Sequence, residues 1–396
     1  MSPCRGRDEG RKAMPKGPNE FEYNRDLFLT SAQREALKKE YPLIWFALGQ
    51  PNSAFSDVDD AAKREKRNFR YFGYAAVGLG TLALILASVE PTLIAPAVEA
   101  ERLPEIAATG LAIFAALAGL GGVFIGWAGM GTAERKRRWL HNRLLAERMR
   151  QWQWQHFVGT FESLAAATHD EDAQKAYVTR RAADFRAFHS GYAAQIGARL
   201  NQILGQGETA MGRIWIEPTW LANAKRAQAV LEALPGDALR EEILRAYRNE
   251  RITGQIDYVV YQLGPGKFST HPVTQLKLLH GLGRIIVVAI IALHVAVIMG
   301  VLLHIEELKS PGLYVFTLSL ALCALALRVI EDGFRPVEQI ARLKSYLGVL
   351  ESAREKFDAP GATVADKVAA MQALEEGAAQ EMVEFVEATD KARFVM

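Results

Sequence analysis

The stretch ERKRRWLHNRLLAERMRQWQWQ, Glu134 to Gln155, is strongly basic, holds three tryptophans and follows directly on the uncharged run Ile106 to Ala133. A cationic, Trp-bearing segment abutting a long apolar one has the composition of a membrane–water boundary, where Lys and Arg sit among headgroups and indole rings lie at the interface. Three further runs fit the same picture. Tyr71 to Val89 carries no charge, Ile285 to Ile305 carries only two histidines, and Ser310 to Leu327 is an uncharged run of 18 residues followed by Arg328. At about 1.5 Å per residue, each is long enough to cross roughly 30 Å of hydrocarbon as a helix. Buried core helices of a soluble α-domain are the rival reading. Short polar connections within each pair and heavily charged outer flanks argue against it, as does a mean hydropathy near zero over 396 residues.

Charge sets the expected orientation. Five Lys or Arg lie between Ala62 and Arg70, and ERKRRWLHNR follows the second run, whereas the connection Glu90 to Glu105 has four Glu and one Arg. Lys277 and Arg284 precede the second pair, and Arg335, Arg342 and Lys344 follow it. Positive residues favour the cytoplasmic side. The expected fold is therefore an all-α integral membrane protein, multi-pass in the inner or plasma membrane, with four transmembrane helices in two hairpins, long cytoplasmic amphipathic helices and both termini cytoplasmic. Residues 1–20 read as a disordered tail with no signal-peptide core and 21–70 as a cytoplasmic helical segment. Residues 71–131 form the first hairpin, 132–283 a cytoplasmic helical region, 284–330 the second hairpin and 331–396 C-terminal cytoplasmic helices.

The cytoplasmic parts carry helical periodicity. Trp139, Arg143, Ala146, Glu147, Arg150, Trp154 and Phe157 step by three or four and share one stripe. That stripe is too aromatic for a solvated face, so it is expected to form a stalk packed on the middle helices or on a neighbouring subunit. Near the C-terminal end, Thr363 is an N-cap candidate after a Pro/Gly break, and Val364, Val368, Met371, Leu374, Ala378, Met382 and Phe385 repeat at coiled-coil-like spacing. Only GRIWIEP, Gly212 to Pro218, alternates as a strand would. The two halves echo one another in architecture, with poor residue matching.

Several motifs invite chemistry and lack the context for it. GLGTLA, Gly78 to Ala83, fits a dinucleotide glycine fingerprint but lies inside an apolar run with no preceding strand. GPGKFS lacks P-loop spacing and reads as a turn. HDED, His169 to Asp172, reads as a loop with a helix N-cap rather than a metal site. Cys4 and Cys323 fit neither a disulfide framework nor a zinc site. No cofactor, no metal, no catalytic residue and no nucleic acid partner is expected.

The apolar runs are more informative. Ala118, Gly122 and Gly126 recur every fourth residue, the spacing that lets two helix backbones approach within lipid. The partner is either the first run, through Gly73, Gly78 and Gly80, or a second copy in a homo-oligomer. His294, at the middle of the third run, is either functional or a neutral ring bonded to a neighbouring helix, to Thr317 or to Ser319.

The two-span pattern leading into WLHNRLLAERMRQW, with Trp139, Arg143, Ala146, Glu147 and Arg150, resembles the SMODS- and SLOG-associating two-transmembrane effector (SLATT) superfamily of prokaryotic conflict systems. YRNERITGQIDYVVYQ, with Arg251, Gln255 and Tyr258, is similar to that superfamily's helix ahead of its membrane pair. The chain departs in having two expected hairpins where the family pattern has one. The resemblance implies a membrane effector that assembles and perturbs the bilayer, as a pore, when a nucleotide-sensing or signalling partner triggers it. The competing expectations are a non-catalytic anchor or scaffold presenting a helical platform, and a membrane-bound enzyme of unknown reaction.

Overall fold

The computed structural model describes residues 31–48, 53–128, 130–206, 218–234, 237–268, 271–305 and 310–392. The expected tail and nearly all of GRIWIEP lie outside them. Among the described residues every regular element is helical. The order is α1 (Ser31–Glu40), α2 (Trp45–Leu48), α3 (Ser53–Val89), a π-helical turn (Glu90–Ile94), α4 (Ala95–Glu99), α5 (Glu105–Ala128), α6 (Met130–Gly159), α7 (Phe161–Ala167) and α8 (Glu171–Gln206). Then come α9 (Pro218–Ala233), α10 (Asp237–Ala246), a second π-helical turn (Tyr247–Thr253), α11 (Gly254–Leu263), α12 (Pro272–Leu302), α13 (Pro311–Phe334), α14 (Pro336–Asp358) and α15 (Val364–Lys391).

Among the described residues, four helical segments are long and apolar enough to cross a membrane: Ala54–Glu99, Glu105–Ile125, Pro272–Leu302 and Pro311–Asp358. Within them α3 packs on α5 and on α13, and α12 packs on α13. Little of their apolar surface is covered. Leu120, Val123, Ile285, Val288 and Leu302 each expose about two thirds of their area. Apolar surface on that scale is the mark of a face that meets something other than water.

The connection Glu90 to Glu105, read above as a polar loop, is largely helical: α3 runs into the π-helical turn and α4, and only the stretch before α5 turns. Pro91 and Pro96 lie within this helical run and each removes one N–H from it, and the ladder shifts to π-helical spacing at Glu90–Ile94 rather than ending.

The remaining helices form a bundle with its own core. Its centre gathers Tyr41 and Phe46 from the N-terminal helices, Trp154 and Phe161, Tyr247 and Ile252, Leu350, and Met371 and Leu374. α14 and α15 pack side by side, and Gly377 permits their close approach: a Cβ there would lie 2.4 Å from Val349 Cγ1. α15 starts as its sequence predicts. The Thr363 hydroxyl accepts from the Asp366 amide at 3.2 Å, and the Asp366 carboxylate accepts from the Thr363 amide at 2.9 Å.

Between α13 and α14, Arg335 takes a left-handed conformation with φ of 50°, turning the chain where Pro336 begins the next helix. α3 needs no such break. One continuous helix carries both an apolar segment and a polar, bundle-facing one.

Candidate functional site

The stripe on α6 lies at the junction of the bundle with the apolar helices. Trp139 is held between Phe69 of α3 and Phe385 of α15, each ring centroid 5.9 Å away. Trp154, one of the largest fully buried side chains, meets the Tyr247 ring edge-on at 5.5 Å. Between the two tryptophans the charged members meet ions from other helices.

Arg143 pairs with Glu147 at 2.5 Å and faces Asp59 of α3 at 3.8 Å, while Asp59 also holds Lys63 at 2.9 Å. Arg150 donates to both Glu147 oxygens at 2.8 Å and stacks over Phe55 at 5.5 Å. Tyr258 of α11 hydrogen-bonds Arg143. Beyond Glu147 lies Arg251, whose Nε and Nη2 donate to the two Glu375 oxygens at 2.8 and 3.0 Å; the Tyr247 hydroxyl donates to the same carboxylate at 3.2 Å. Arg342 of α14 pairs with Glu381 of α15 at the network's edge. Helices α3, α6, α11, α14 and α15 and the second π-helical turn are thus joined by buried charge.

The electrostatics follow from burial opposed by pairing. Burial alone would push the Glu147 carboxyl up, yet Arg143, Arg150 and Arg251 together hold it down at about 2. Burial likewise works against the Arg143 cation, and Glu147, Tyr258 and Asp59 outweigh it, leaving the guanidinium more firmly protonated than usual. The Tyr247 phenol is pushed well up, first by burial and then by the Glu375 charge. Glu147 therefore keeps its charge throughout the physiological range and serves as a fixed anion.

Comparison with family models, with curated proteins and with solved structures gave no match.

The other residues singled out from the sequence lie elsewhere. Ala118 and Gly122 face α3: a Cβ built on Gly122 would lie 3.1 Å from the Gly80 amide nitrogen, and one on Gly119 3.5 Å from Ala83 Cβ. The described part of the small-residue ridge thus packs on α3 of the same chain. The surroundings of Gly126 fall outside the described residues. His294 is exposed, and its Nδ1 donates to the carbonyl of Ile290 on its own helix at 2.8 Å. Thr317 and Ser319, weighed above as its partners, instead donate to Leu313 and Val315 within their own helix, each at 2.8 Å.

GLGTLA is uninterrupted helix inside α3. Asp170 of HDED accepts from the Ala173 amide at 2.9 Å, as a helix N-cap does. Among the described residues no group of three or more His, Cys, Asp or Glu is placed to hold a metal ion.

Sequence reasoning passed over Asp59 and Glu375. Glu375 left a signal: it stands one turn after Met371 and one turn before Ala379, on the buried stripe of α15, where an unpaired carboxylate is costly.

Proposed function

We propose that the chain is a multi-pass membrane protein of the inner or plasma membrane, its four apolar helices spanning the bilayer as two hairpins with the bundle and both termini cytoplasmic. In this reading it is an oligomeric membrane effector or channel-like protein, as the SLATT resemblance implies, set off by a nucleotide-sensing or signalling partner. The exposed apolar faces of α5 and α12 support the membrane part, since such surface is stable only against lipid or another apolar helix.

The observation that carries the effector part is the continuity of α3. The helix that holds Asp59 in the buried ion network also holds the first apolar run. Displacing the network by binding a partner at the bundle would move that run as a rigid rod, because a helix transmits axial and tilting motion without a hinge between Asp59 and Val89. α13 and α14, by contrast, are separated by the left-handed Arg335.

The test is a dye-leakage and growth assay on induced expression. Leakage of a small dye and arrested growth are expected in wild type, and Asp59→Asn with Arg143→Gln should abolish both while the protein still accumulates in membranes. Intact membranes across expression levels and candidate triggers would overturn the effector reading.

A second reading, a membrane anchor or scaffold, is favoured by the size of the bundle core, which draws on both ends of the chain. Replacing the four runs by unrelated spans would preserve partner binding and function in that case, and would destroy function in an effector.

A further inference from the structure

At the edge of the ion network, a shallow cleft lies where α3, α6, α13, α14 and α15 meet. Its wall carries Arg70, Arg335 and Arg342 together with Phe69, Phe334 and Trp139. Its place in the chain is specific. Arg70 immediately precedes the apolar run Tyr71 to Val89, and Phe334 and Arg335 close the helix that contains the run Ser310 to Leu327.

The cations are held by aromatic faces and backbone as well as by carboxylates. Arg70 lies over the Phe334 ring at 4.9 Å, Arg342 over Phe385 at 5.0 Å, and Lys66, one turn before Arg70, over Trp139 at 5.8 Å. Arg335 donates to the Ala388 carbonyl at 3.2 Å and pairs with Glu338; Arg342 pairs with Glu381. The Nε of Arg342 is buried and makes no hydrogen bond, a costly state for a guanidinium. Two further basic side chains of α6 are already engaged: Arg135 lies over Phe72 at 4.8 Å, and Lys136 donates to the Asp390 carbonyl at 2.5 Å and faces the Asp390 carboxylate at 3.5 Å.

Guanidinium forks bind phosphate oxygens with matched geometry. Basic pockets between spanning helices on the cytoplasmic side suit anionic headgroups, and aromatic walls suit the glycerol and first methylenes of a lipid. We propose that this cleft binds the phosphate group of an anionic phospholipid, an assignment that rests on the membrane reading above. Occupancy would lock the first apolar run, the end of α13 and the start of α14 onto α15, and so couple lipid charge to the bundle.

The experiment titrates the full chain, purified in detergent, with phosphatidylglycerol, phosphatidylcholine and, separately, inorganic phosphate, following the thermal midpoint. Phosphatidylglycerol is expected to raise the midpoint saturably at concentrations roughly tenfold below those needed for phosphatidylcholine. Arg70→Gln with Arg342→Gln should weaken that response by about tenfold or more. Arg138→Gln should keep it, since Arg138 is exposed and paired with Glu134 outside the cleft. Should the double variant not fold, native mass spectrometry of the lipid retained by Arg335→Gln reads the same site, and less anionic lipid than in wild type is expected.

Saturable stabilisation by inorganic phosphate with no lipid preference, lost in these variants, supports the phosphate site and assigns its source to a soluble anion. Equal lipid responses in wild type and variants overturn the proposal. A chain that is monodisperse in plain buffer would overturn the membrane reading alone, because the phosphate titration reads the cleft in that buffer as well.

Discussion

Arg251 and Glu375 face each other through two parallel hydrogen bonds of 2.8 and 3.0 Å, with 2% and 0% of their side chains exposed. They join the π-helical turn ahead of α11 to α15, and the Tyr247 hydroxyl fills a further acceptor site on the carboxylate. A pair so completely removed from water gains little over apolar residues of the same size, because desolvation offsets the attraction, but breaking it strands a charge.

Arg251→Met and Glu375→Leu, each alone, are therefore expected to cost on the order of 3–5 kcal/mol, and the double variant to recover most or all of that loss. Unfolding of the full chain in detergent, arranged as a double-mutant cycle, checks this. Additive losses in the double variant would show that the two residues do not act as a pair.

Gly122 and Gly80 make a second testable contact. A Cβ at Gly122 lies 3.1 Å from a backbone nitrogen, which cannot move aside as a side-chain tip can. Gly122→Leu should force α5 off α3, lower the thermal midpoint and raise protease sensitivity between residues 90 and 105. Gly110→Leu, with open space around its position, should behave as wild type. Equal effects of the two substitutions would mean that the contact does not hold the helices together.

Much of this architecture was legible because it is written in local pattern. Uninterrupted apolar runs mark the four long helices, the step of three and four marks one of the packed stripes of α6, and Thr363 with Asp366 marks the start of α15. What covers each face was not legible. Periodicity says that Arg143 and Glu147 point inward, but nothing local to α6 announces that Asp59 and Tyr258 meet Arg143 or that Arg251 lies beside Glu147. The ridge of Ala118 and Gly122 was open to an internal or an external partner for the same reason, and only the packed structure fills it with α3. Glu90 to Glu105 misled because prolines and glutamates suggest a loop, whereas the helical run carries Pro91 and Pro96 through a change to π-helical spacing.

The Thr363 cap gives a prediction of modest size. Its hydroxyl and the Asp366 carboxylate satisfy two amides that the helix itself leaves open. Thr363→Ala should cost about 1 kcal/mol, and Thr363→Ser or Thr363→Asn should restore most of it. Hydrogen exchange at the first turn of α15 reads the effect directly, and unchanged protection in Thr363→Ala would show that the cap does not hold this end.

Acid should loosen the bundle in two steps. The His156 imidazole is lowered from 6.5 to about 4, first by burial and then by Arg181, against the pull of Asp184 at 3.2 Å. The Glu147 carboxyl lies at about 2, against an ordinary value of 4.5. Both folded values fall below the unfolded ones, so in each case the unfolded chain takes up its proton first and stability falls as pH falls. The His156 share is whole above pH 6.5 and is lost between 6.5 and about 4; the Glu147 share is whole above 4.5 and is lost between 4.5 and about 2. The first step is on the order of 3 kcal/mol, from a shift of that size in a nearly buried ring. His156→Gln should flatten the thermal midpoint across the upper window and leave the lower one in place. A midpoint in that variant that still drops between pH 6.5 and 4 as steeply as in wild type would assign the upper step to another group.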